Sequence, residues 1–125
     1  LEYNDDQIVS SDIIGNKRRK ADKLARKYLS RARKVLGKKE DFYIALEKAL
    51  HNYLKAKLHI ETFDISKDRI AEILQNKKVD NSVIEEFKIV LNNCDFARYA
   101  PSTNVLMKED YEKAKDVISK IDKQL

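Results

Sequence analysis

From residue 17 onward, apolar residues recur at spacings of three and four, the period that gathers them on one side of an α-helix. Ala21, Leu24, Tyr28, Ala32 and Val35 mark a first helix over about 17–36, and Gly37 stands just past its last turn, where a left-handed cap favours glycine. A second helix is expected over about 40–59. Its stripe of Phe42, Leu46, Ala49, Leu50, Tyr53, Leu54 and Leu58 is broad, which suits a central helix buried on more than one side. A short third helix follows Ser66, whose hydroxyl can cap its first turn, and presents Ile70, Ile73 and Leu74. The fourth runs from Asp80 to about Tyr99 with Val83, Phe87, Val90, Leu91 and Cys94 on one face. The fifth begins after Ser102, Thr103 and Asn104 and carries Met107, Tyr111, Ala114, Ile118, Ile121 and Leu125 in alternating steps of four and three. Residues 1–14, LEYNDDQIVSSDII, show no such period and read as an arm or connector. No segment of about 33–47 residues recurs, so a solenoid is not expected. The pattern predicts an all-α fold, a compact bundle of about five helices, as a single helical domain over 15–125.

Composition agrees. The 125 residues include only two glycines and one proline, and 38% are charged. That is a helix-forming mixture, in a chain long enough to bury a core without disulfides or metal. One cysteine cannot make an internal disulfide or a thiolate zinc site. No run approaches the roughly 18 to 20 apolar residues of a membrane-spanning helix. The chain opens on Leu1 rather than methionine, so a longer parent polypeptide is expected.

Charge is unevenly placed. Residues 17–39 hold twelve lysines and arginines against the single acid Asp22, whereas 14 bases and 16 acids share the chain from residue 40 onward. The basic residues Lys17, Arg18, Arg19, Lys20, Lys23, Arg26, Lys27 and Arg31 surround the first helix instead of forming one stripe. Three readings fit them: a solvated surface, a nucleic-acid footprint, or a face turned to anionic headgroups. Against DNA, a helix-turn-helix over 66–99 would open its second helix with Asp80, Glu85 and Glu86, which phosphates repel.

Catalytic signals are weak. His51 shares a helical face with Glu47 and Lys55, His59 lies at the frayed end of the same helix, and both read as solvated. Cys94 lies on an apolar stripe beside Asp95, the setting of a structural thiol. Two isolated glycines cannot build a phosphate-cradling loop. Neither an enzyme nor a bound cofactor is expected. The stretch CDFARYAP, residues 94–101, fits a helix terminator: Pro101 stops the helix and Arg98 suits its last turn. A terminator does not need Phe96 and Tyr99, and an arginine between two aromatics is also a common anchor for a partner's carboxylate.

The segments RKADKLARKYLSRARKVL, FYIALEKALHNYLKAKL, ISKDRIAEIL, CDFARYAP and YEKAKDVISKI together resemble the C-terminal domain of the Bacteroides aerotolerance (BatD, oxygen tolerance) family. The likeness covers about residues 17–123, and FARYAP followed by YEKA carries most of it. The resemblance implies a non-enzymatic domain on the cytoplasmic face of a bacterial inner membrane, after a transmembrane helix and a large periplasmic portion. It also implies partners: a MoxR-type AAA+ ATPase and the von Willebrand A-domain and tetratricopeptide proteins of the Bat operon. Residues 1–14 would then be a juxtamembrane connector, and the basic helix would obey the positive-inside rule beside an anionic membrane surface. No small-molecule substrate is expected, and nucleic-acid binding through the basic helix is the alternative function.

Overall fold

The computed structural model describes residues 19–62, 64–97, 99–100 and 103–125, and the helical periods materialise as helices throughout. In chain order these are α1 (19–28), α2 (Ser30–Lys34), α3 (Lys39–Leu58), α4 (Lys67–Asn76), α5 (Asn81–Phe96) and α6 (Asn104–Gln124). No strand occurs among the described residues. The expected arm at 1–14 lies outside them.

The first predicted helix is one rod with a flaw. Leu29, at φ −92° and ψ 5°, leaves helical geometry between α1 and α2. Amide bonds from Leu29 to the Ala25 carbonyl and from Arg33 to the Leu29 carbonyl, each 3.0 Å, carry the helical path across it. Leu29 is fully buried, as are Ala21, Ala25 and Ala32, while Leu24, Tyr28 and Val35 are only half-buried. The inner face is thus rotated from the predicted one towards small residues. Gly37 takes φ +104°, with the Asn104 side chain alongside.

Helix α3 is central, as its wide stripe predicts, and packs against α2, α5 and α6. Phe42, Leu46, Leu50, Tyr53 and Leu54 are completely buried in it. Its end is closed by His59 in the left-handed region (φ 59°), whose amide returns to the Lys55 carbonyl. The hydroxyls of Ser66 and Thr103 cap α4 and α6, each accepting the amide three residues on at 3.1 Å.

Polar pairs fix how the helices run. Asp22 with Ser119 and Gly37 with Asn104 make the α1–α2 rod antiparallel to α6. Asp80 with Gln124, Glu86 with Lys120 and Asn93 with Asp110 make α5 antiparallel to α6. Tyr43 with Asp110 and Tyr53 with Asp122 make α3 parallel to α6. Asp110 is buried, and its two oxygens accept from the Tyr43 hydroxyl at 2.6 Å and the Asn93 amide at 3.0 Å.

Since Leu50 is fully buried in the shared helix, Leu50→Ala is expected to cost about 2–5 kcal/mol. Ile44→Ala, on the 61% exposed side of the same helix, should stay within about 0.5 kcal/mol. Urea unfolding with unchanged slope is the measurement, and equal losses from both would contradict the placement of α3.

Candidate functional site

Two surfaces gather the residues that the sequence singles out. The first is the corner at the end of α5. The helix ends at Phe96, earlier than the expected Tyr99, and the amides of Tyr99 and Ala100 both turn back to the Phe96 carbonyl at 3.0 Å. Phe96 is 69% exposed and Tyr99 88% exposed, while Ala97 between them is buried. Arg98 and Pro101 lie outside the described residues, so the terminator role read into them does too. Beside this corner is an open groove of about 260 Å³ between the start of α3 and the end of α5. Tyr43, Ile44, Cys94 and Ala97 line it together with the charged residues Lys39, Glu40 and Glu47. Ile44 is among the most exposed large apolar residues described, and it stands one turn from each of those acids along α3.

The second surface is the outer side of the α1–α2 rod. Arg19, Lys20, Lys23, Arg26, Lys27 and Arg31 are all exposed; Lys17 and Arg18 lie outside the described residues. Elsewhere several cations pair with acids, Lys55 with Glu61, Lys57 with Asp122, Lys67 with Asp95, Lys88 with Asp68 and Lys120 with Glu86, while Lys48, Lys77, Lys78, Lys113 and Lys123 have no acidic partner among the described residues. On the rod, Lys20, Lys23, Arg26, Lys27, Arg31, Arg33 and Lys34 have no acidic partner among the described residues. Its single acid, Asp22, faces inward and accepts the Ser119 hydroxyl.

The histidine reading is corrected in part. His59 is exposed, but His51 is buried at 7% exposure, with Nδ1 2.6 Å from the Thr62 hydroxyl and Nε2 4.0 Å from Glu47. The segment after α3 folds back over it, and the helical neighbours used to judge its exposure carry no information about that cover. Burial holds the imidazole below its ordinary pKa, opposed by the charges of Glu47, Glu61 and Asp95. Burial likewise pushes the Cys94 thiol far up, with Glu47, Asp110 and Asp95 adding to it, so the thiolate that a nucleophile requires is disfavoured. Among the described residues no cluster of three His, Cys, Asp or Glu could hold a metal, and no helix is long and apolar enough to cross a membrane.

Asp110 and Ser119 escaped the sequence reading, although each left a trace. Asp110 falls one turn from both Met107 and Ala114, and Ser119 lies beside Ile118, polar residues in or next to an otherwise apolar face. Comparison of the chain with family models, with curated proteins and with solved structures finds no match.

A histidine kept neutral by folding makes stability depend on pH in a definite direction. Below pH about 6.5 the unfolded chain takes up the proton first, so stability should fall as pH drops through that value and level off once the folded imidazole is also protonated. Denaturation of the protein and of His51→Gln across pH 7.5 to about 5.5 tests this; the variant should show a flatter profile. Parallel profiles would mean that His51 does not titrate differently on folding.

Proposed function

We propose that the chain is a non-catalytic protein-interaction module of the BatD type, held at the cytoplasmic face of a bacterial inner membrane and docking a MoxR-type AAA+ ATPase or another protein of the Bat operon. The observation that carries this reading is the pair of exposed aromatics, Phe96 and Tyr99, held out on either side of the buried Ala97 where α5 ends. Aromatic side chains left in water next to an apolar groove forgo the burial that most large apolar residues of the chain obtain, and a partner that covers them recovers it. The flanking sequence FARYAP is also the stretch on which the family resemblance chiefly rests.

The cationic rod supports the second half of the reading. Seven cations on one element without an acidic partner among the described residues suit a surface of anionic headgroups. Nucleic acid is the less favoured occupant, because the exposed start of α5 presents Asp80 and Glu85 where a helix-turn-helix would enter the groove.

The double variant Phe96→Ser/Tyr99→Ser should keep its melting temperature within a few degrees and lose at least about tenfold in affinity for the purified ATPase, a loss of two aromatic anchors. Titration calorimetry with both purified proteins provides the measurement. If the unaltered chain binds neither the ATPase nor the von Willebrand A-domain and tetratricopeptide proteins of the operon, or the double variant binds its partner equally well, this docking reading is wrong.

A further inference from the structure

The side of the α1–α2 rod that meets α6 forms an open groove of about 490 Å³. Arg26 and Arg33 line it from the rod, Lys108 and Lys115 from α6, with Tyr111 and Leu36 supplying apolar surface. The arrangement follows from the helix register. Asp22 meets Ser119 and Gly37 meets Asn104, so each residue on the rod faces the one on α6 that brings their numbers to the same total. By that register Arg26 stands across from Lys115 and Arg33 across from Lys108. Along α6, and along the rod across Leu29, the two cations are seven residues apart, two turns on the same side, which in a regular helix is a separation of about 10.5 Å.

Four cations therefore mark the corners of one groove. The one acid lining it, Glu112, is held by Lys115 at 2.8 Å, within α6. Arg26, Arg33 and Lys108 have no acidic partner among the described residues. Like charges brought together without counterions oppose folding, and a bound polyanion would convert that repulsion into charge-assisted hydrogen bonds. The guanidinium groups of Arg26 and Arg33 can each present paired donors to phosphate oxygens, while Lys108 and Lys115 supply point charges.

We propose that this groove is a binding site for a ligand carrying two or more phosphate groups, either a soluble polyphosphorylated compound or the headgroups of anionic phospholipids. The proposal deepens the reading of the rod as an anion-facing element and rests on it. It is independent of the docking corner, so failure of one test leaves the other standing.

The experiment compares two double variants that lose the same charge. Arg33→Gln/Lys108→Gln removes one facing pair of the groove; Lys48→Gln/Lys77→Gln removes two exposed lysines that neither line it nor lie on the rod. In calorimetric titration with inorganic tripolyphosphate, the groove variant is expected to bind at least about tenfold more weakly than the unaltered chain, and the control variant within about twofold of it. The same three proteins are then floated with vesicles of phosphatidylglycerol in phosphatidylcholine. Preferential loss of the groove variant from the vesicles identifies lipid headgroups as the source of the phosphate. Discrimination with tripolyphosphate alone identifies a soluble compound. Equal weakening of both variants in both assays, or no binding in either, overturns the proposal, as does a groove-dependent preference for duplex DNA over both probes.

Discussion

Helix α3 must bury more of its circumference than any single neighbour can cover, and the arrangement of the bundle follows from that need. The rod of α1 and α2, α5 and α6 each take a side of it, and α4 reaches the core through α5. Apolar packing alone tolerates sliding of one helix past another, because ridges of similar aliphatic side chains fit several registers. Asp110 removes that freedom. It is buried where α3, α5 and α6 converge, and a shift of one turn in any of them would strand the Tyr43 hydroxyl, the Asn93 amide or the carboxyl group without a partner. A stranded buried polar group costs about 1–3 kcal/mol, enough to disfavour each shifted register against a small total stability.

Elements governed by local chemistry were legible in the sequence. The period of three and four located the helices, Ser66 and Thr103 stood where their hydroxyls cap a first turn, and Gly37 stood where the chain takes a positive φ. What depended on cover from elsewhere was not. On its own helix His51 neighbours Glu47 and Lys55, which suggest exposure, whereas its burial is decided by Thr62 and the segment after α3. The same limit applies to Asp110, whose partners are 67 and 17 residues away. For the site, the sequence supplied the aromatics and the cations as residue types; that Phe96 and Tyr99 point outward, and that two basic residues of α6 face the rod, came from the fold.

The rod shows how packing and charge conflict in one element. Its inner face is built largely from alanines, Ala21, Ala25 and Ala32, small enough to let the helix lie close against the core. Close approach also shortens the distance between the arginines on its flank and the lysines on the flank of α6. A sequence shaped for stability alone would place acids on one side of such a seam, as α5 and α6 do with Glu86 and Lys120. Here both sides are basic. Apart from Glu112, which pairs with Lys115, no acid among the described residues lines the groove between them, and local conflicts of this kind are where a binding partner is to be sought.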